Sequence, residues 1–243
     1  MYRPSFSIRF AGIAICLCLF TTIACAQQSL FNVPSSEITP KGKLFFQQQV
    51  NFSSIIQLNT TLDYGLKHDW EIGVNLLGID YSPSLHDFLK NDVLQNDPFS
   101  PLVMINVQKG VPVNEHWKLG FGAQNGVNMA QYRSERLAYF YYANAVWTSR
   151  SERLRINSGL YLGNEHYLGD GNNVGVMVGA EAALIPHKVH LMADWINGTH
   201  DLGVGVIGAV AYPWRHLPIS LGWQLPNDRQ NQRAFVFEIT YIP

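Results

Sequence analysis

Between residues 43 and 82 apolar and polar side chains alternate along three successive segments. In the first, Leu44, Phe46, Val50 and Phe52 share one face, with Phe45, Gln47, Gln49 and Asn51 on the other. In the second, Ile56, Leu58, Leu62, Tyr64 and Leu66 oppose Gln57, Asn59, Thr61 and Asp63. In the third, Trp70, Ile72, Val74 and Leu76 oppose Glu71, Gly73 and Asn75. A period of two is the mark of a β-strand, and segments of about ten residues suit a tilted strand crossing a bilayer.

The same pattern continues to the C-terminus. Val103, Ile105 and Val107 oppose Met104, Asn106 and Gln108; Trp117, Leu119, Phe121 and Ala123 oppose Lys118, Gly120, Gly122 and Gln124. The strand at 138–148 is aromatic on both sides, which leaves its facing open. Further strands are expected at 154–162, 174–184, 189–195, 202–212, 219–225 and 235–241. In the strand at 202–212 the apolar face is read as Leu202, Val204, Val206, Val210 and Tyr212, against Gly203, Gly205, Ala209 and Ala211. The expected fold is all-β, a transmembrane antiparallel up-and-down β-barrel of about twelve strands in one domain over 42–243. An even count puts both chain ends on the periplasmic side. It also collects the long connections, 81–101, 126–137, 164–173 and 226–233, on the outer side. Within the first of these, Leu85, Phe88 and Leu89 are spaced as on a helix, and Ser84 stands three residues before Asp87 as in a capping box, so a short helix is expected there.

Composition sharpens this picture. Charged residues make up 14 % of the chain, against about 25 % in an ordinary soluble domain. Mean hydropathy is −0.02, and no run after the N-terminal leader reaches the roughly 18 apolar residues of a spanning helix. The charges that do fall in strands, Asp63, Glu71, Lys118, Arg155, Glu181, His190, Asp194 and Glu238, all sit on the polar side and are expected to line the lumen. A charge in the lipid band costs about 2–4 kcal/mol at the midplane, so a bilayer enforces this partition. Trp70, Trp117, Trp147 and Trp214, with Tyr212 and Tyr241, are expected to form an aromatic girdle at the inner edge, and Trp195, Trp223 and Tyr81 one at the outer edge. A secreted β-sandwich is the competing fold, but its outer face would carry more Lys, Glu and Thr than these Gly, Asn and Gln positions do.

Residues 1–26 have the form of a signal peptide. Arg3 and Arg9 precede an apolar core at 10–23, and Ala24-Cys25-Ala26 fits a cleavage site that leaves Gln27 as the new N-terminus. Cleavage before Cys25, as in a lipoprotein, is the alternative. The leader takes with it all three cysteines and two of the 17 basic residues, leaving three more acidic than basic side chains. That balance gives no footprint for nucleic acid. Residues 27–41 contain Pro34, Ser35, Ser36 and Pro40 and no periodicity. They are expected to be a periplasmic lead-in, with a segment tucked into the lumen as the alternative. The implied location is a bacterial outer membrane.

The run Gly42-Lys43-Leu44-Phe45-Phe46-Gln47-Gln48-Gln49, followed by 61–74 with Tyr64-Gly65-Leu66, a polar turn, and Glu71 and Gly73 in the next strand, resembles a family of outer-membrane barrels named for a phenol meta-degradation pathway. The resemblance covers about forty residues and implies uptake of small, aromatic molecules. It carries no binding residue across.

The expected function is passive uptake of small molecules through a pore, with membrane lipid and a small solute as partners and no cofactor. A closed barrel acting as a scaffold or surface-interaction protein is the alternative, and a membrane-embedded lipid hydrolase the third. A hydrolase needs a Ser beside an oriented His. No strand sets His and Ser two apart on one face, and the nearest pair, His216 and Ser220, falls at an expected periplasmic turn, so no enzyme is expected. Glu165, His166, Asp170, Asn172 and Asn173 have ligand-type atoms, but their spacing is that of turn chemistry and no metal site is expected. Gly203, Gly205 and Gly208 lack the Lys-Ser/Thr ending of a phosphate loop and read as close packing or an open lumen.

Overall fold

A computed structural model describes residues 30–91, 98–129, 137–229 and 231–243. The leader at 1–26 and the cleavage site before Gln27 lie outside the described residues. The chain forms strands β1 (Leu44–Phe52), β2 (Ile56–Gly65), β3 (Trp70–Ser82), β4 (Asp87–Leu89), β5 (Leu102–Pro112), β6 (Trp117–Asn128) and β7 (Ala138–Thr148). It continues with β8 (Leu154–Gly163), the short helix α1 (Glu165–Leu168), β9 (Val174–Ile185), β10 (Val189–Ile196), β11 (Val204–Trp214), β12 (Leu217–Pro226) and β13 (Ala234–Tyr241). Apart from β4, each strand pairs antiparallel with its neighbours in sequence, and β1 pairs with β13, Phe46 opposite Tyr241 and Phe52 opposite Phe235. The result is a closed barrel of twelve strands. Closure leaves no edge unpaired among these twelve strands, which is the condition for placing a sheet in hydrocarbon.

The outward face is apolar. Leu62, Ile72, Ile105, Phe121, Leu160, Val178, Leu191, Ile207 and Leu221 are each exposed there, far more grease than a soluble surface carries in one band. Among the described residues Lys109 is the one charged residue at an outward position of the barrel strands. It lies at a strand end, 5.6 Å above the Trp70 ring, and reaches back to the His68 carbonyl, as snorkelling lysines do. Five of the six tryptophans are exposed and Trp147 is half-buried. Trp117 and Trp147 face each other across β6 and β7 at the end of the barrel with short turns. Trp195 and Trp223 stand near the end with long loops, where the Trp195 indole donates to Asn227 Oδ1 at 2.8 Å.

Three expectations change. In β11 the facing is reversed: Val204, Val206, Val210 and Tyr212 point inward, and Gly205, Ile207, Ala209 and Ala211 point out. Both faces of that strand are small or apolar, so alternation alone could not choose. Val206 and Val210 pack with Met192, Val236, Leu30 and Phe31, and Tyr212 leaves the girdle to lie tilted against His190, ring centroids 5.0 Å apart. No helix forms at 84–89. Asp87–Leu89 instead pairs with Ser82–Asp80 of β3, and Phe88 meets Tyr81 edge-on at 5.4 Å, contacts that a single helical turn in a loop would not make. Third, residues 30–40 are not a lead-in outside the barrel but run through its lumen. The lipid-facing surface also carries an uncharged polar pair. Gln48 and Thr60 face outward opposite each other, and Gln48 satisfies itself by accepting from Thr60 at 2.6 Å and donating to the Asn59 carbonyl at 3.1 Å. The open facing of β7 is resolved with Phe140 and Tyr142 inward and Tyr139 and Tyr141 outward.

Candidate functional site

The lumen is organised by residues 30–40, a segment without regular structure whose backbone polar groups must find partners other than a ladder. The barrel wall supplies them at nearly every step. The Asp194 Oδ2 of β10 accepts from the backbone N–H of Asn32 at 2.6 Å and Val33 at 2.9 Å. Asn144 of β7 and Asn157 of β8 both donate to the Pro34 carbonyl, at 2.5 and 2.7 Å. Gln108 of β5 donates to the carbonyls of Ser35 and Glu37 and itself accepts from the Tyr142 hydroxyl. Glu71 of β3 accepts from the Thr39 N–H at 2.7 Å.

Two apolar side chains anchor the start of the segment. Leu30 and Phe31 sink into the wall of β9 to β13 where glycines leave room. A Cβ on Gly179 would lie 2.0 Å from the end of Leu30, and one on Gly222 would lie 2.9 Å from the Phe31 ring. Val33 joins the cluster of Phe140, Tyr142, Tyr161, Leu168, Met177 and Ile196.

One charged side chain of the segment completes the attachment. Glu37 places Oε2 3.0 Å from Lys118 Nζ and Oε1 3.2 Å from Arg155 Nη2. Arg155 in turn reaches Glu181 at 3.1 Å, and Glu181 meets His190 Nδ1 at 2.5 Å. Burial opposes ionisation of Glu37, but Arg155 and Lys118 together outweigh it and hold the carboxyl below the ordinary carboxylate range.

All eight strand charges expected in the lumen therefore face the interior. Six belong to this attachment: Glu71 and Asp194 grip backbone, Lys118 and Arg155 grip Glu37, and Glu181 and His190 support Arg155. The other two stand apart. Asp63 accepts from Asn106 at 2.9 Å, and Glu238 is fully buried with Ser220 and Thr240 donating to it at 3.3 and 3.4 Å. The amides Asn144, Asn157 and Gln108 were not singled out from the sequence. Their only signal was polarity on an inward face.

On the loop side of the segment lies a chamber of about 650 Å³, and at the turn end a recess of about 360 Å³ lined by Ile38, Thr39, Pro40, Lys118 and the β2 to β3 turn. The segment forms part of both walls. At the loop end, burial together with the neighbouring carboxylates of Asp170 and Asp80 pushes the Asp201 carboxyl up from its ordinary value.

The residues weighed for catalysis and metal binding are dispersed. His190 is held by Glu181, His200 by Tyr161, and His116 and His216 by main-chain carbonyls. His166 is buried on α1 and stacked on Phe99, ring centroids 4.5 Å apart. Among the described residues no three His, Cys, Asp or Glu side chains gather as metal ligands. Gly203 lies under the Gly198 carbonyl and Gly208 against Leu221, Gly222 and Phe31, which is close packing.

No family model matches the chain, and no curated protein does. Solved structures share the architecture. The NanC porin superposes with a TM-score of 0.54 at 9 % identity, covering 83 % of this chain and 100 % of its own. The KdgM porin gives 0.55 at 7 % identity, covering 81 % and 98 %, and a KdgM structure in complex with disordered oligogalacturonate gives 0.53 at 8 %. The chain has the closed twelve-strand β-barrel fold found in these porins.

Proposed function

We propose that this protein is an outer-membrane channel for small solutes, closed in the present conformation by residues 30–40 and opened when they move aside. One observation carries the reading: the lumen is hollow on both sides of a single chain segment that the wall holds mainly through hydrogen bonds and ion pairs. A barrel that serves only as a scaffold can be filled by the side chains of its own wall. Here the obstruction is a single segment that runs through the lumen to β1, and the amide-rich surface behind it is suited to water. The shared fold of the porins is consistent with this reading, and the aromatic part of the chamber wall is compatible with the small aromatic solutes implied by the resemblance of 42–74. An acidic oligosaccharide such as that in the KdgM complex does not suit this lumen, where carboxylates outnumber Lys and Arg.

The test is conductance in planar bilayers. The mature chain is expected to be mostly silent with rare openings, and a chain lacking 27–39 to conduct in steady steps. A shortened protein that folds, inserts and stays silent would refute the channel and leave the closed scaffold.

A further inference from the structure

The interior charges of the barrel are sorted by position. Among the described residues, the loop-side chamber is lined by four carboxyl groups, Asp63, Glu71, Asp80 and Asp201, and by no Lys, Arg or His. The inward-facing bases Lys118, Arg155 and His190 lie outside it, drawn to Glu37 and Glu181. Residues 30–40 thus do more than obstruct the lumen. They neutralise the basic part of the wall and leave an acidic chamber facing the loop end.

Two carboxylates have capacity to spare. Asp63 is 5 % exposed, bonds to Asn106 through Oδ1, and lines the chamber. Asp80 also lines it, and its buried Oδ1 has no hydrogen-bond partner. A buried acceptor left unpaired is costly unless a donor arrives. Around these acids the wall combines amides, among them Gln47, Gln49 and Asn59, with the rings of Phe31, Phe45, Phe99, Phe140, Tyr142 and Tyr167. Aromatic faces and carboxylates both favour a cation, and the apolar rings favour one with a hydrophobic body. Asn32 and Asn231, also in the wall, each carry a buried Nδ2 without an acceptor, which calls for a neutral oxygen on the same molecule.

We propose that the loop-side chamber binds small organic amines that carry an apolar or aromatic body and a hydroxyl or carbonyl group, and that it excludes organic anions of the same size. The inference deepens the channel reading and rests on it for the route of the bound solute. A chamber of about 650 Å³ holds one such molecule with accompanying water.

Three probes of one shape test it: tyramine, tyrosol and 4-hydroxyphenylacetate, which differ at the side-chain end by a positive, a neutral and a negative group. Calorimetric titration into the unaltered mature chain in detergent at pH 7 is expected to give tyramine at least about tenfold tighter than tyrosol, with 4-hydroxyphenylacetate weakest. Asp63→Asn and Asp80→Asn are each expected to weaken tyramine by about tenfold and leave tyrosol unchanged, while Glu152→Gln, in a turn at the far end, alters neither. Equal binding of the three probes, or no binding of tyramine, overturns the proposal, and this reading needs no variant to fold. Because the titration needs no transport, its outcome separates from conductance. Conductance without tyramine binding refutes the amine and leaves the channel, and tyramine binding without conductance refutes the channel and leaves an amine-binding chamber.

Discussion

Replacing Glu37 with glutamine removes the one charge by which the lumen segment holds the two bases of the wall. The carboxylate lies 3.0 Å from Lys118 and 3.2 Å from Arg155, and the three side chains are 15 to 27 % exposed. A hydrogen bond to a charged group nets about 1.5–3 kcal/mol when sheltered, and an exposed ion pair less than about 1. With roughly a quarter of each group wetted, about 1 kcal/mol per contact is appropriate. Two contacts give about 2 kcal/mol, or a thirtyfold shift toward the displaced segment, roughly. The assay is open probability of single channels in planar bilayers, where Glu37→Gln should open about thirtyfold more often than the parent. The pH dependence follows with its sign. The attached carboxyl titrates below its ordinary value, and a freed one near about 4.3. The attachment is therefore at full strength above that value and weakens as pH falls through the lowered one. Openings of the parent should rise below about pH 4, and Glu37→Gln should lose that component of the rise. An unchanged open probability in a correctly folded Glu37→Gln protein would refute the view that this ion pair holds the segment.

Other outcomes can be checked independently. Gly222→Ala brings a Cβ to 2.9 Å from the Phe31 ring, so it should loosen the segment and raise spontaneous openings; a protein as silent as the parent would mean that Phe31 is not an anchor. Leu221→Arg puts a charge on the outer face of β12, where Leu221 is 48 % exposed, and should lower stability in lipid vesicles by about 2–4 kcal/mol in urea titrations. An unchanged midpoint would mean that this face does not meet lipid. Intact mass of the exported protein should place its N-terminus at Gln27, and a lipid-modified Cys25 would replace that processing with the lipoprotein route.

Legibility along the chain followed the number of faces that had a distinct character. In β1, β2, β3, β12 and β13 one face was apolar and the other held amides or acids, so a period of two gave both the strand and its orientation. β11 had valines on one side and glycine, alanine and isoleucine on the other, and its orientation was decided by Leu30 and Phe31, well over a hundred residues earlier, which need an apolar bed inside the barrel. The segment at 84–89 had a helical pattern of three residues, too little to compete with the pairing offered by the protruding end of β3. The interior position of Glu71, Asp194, Lys118 and Arg155 was legible because charge is excluded from the lipid face. Their partners were not, because Asn32, Val33, Glu37 and Thr39 lie in a stretch without periodicity.

The twelve barrel strands, the closure they imply and most of the lipid-facing side chains were readable along the chain, because these follow from local alternation and from the cost of placing charge in hydrocarbon. The folded barrel was needed to show that residues 30–40 occupy the lumen, that Glu37 gathers Lys118 and Arg155, and that Asp63, Glu71, Asp80 and Asp201 come together around one chamber. Those outcomes depend on hydrogen bonds and ion pairs between positions such as 32 and 194 or 37 and 155. Such pairings exist only after the sheet has closed and brought distant strands around one interior.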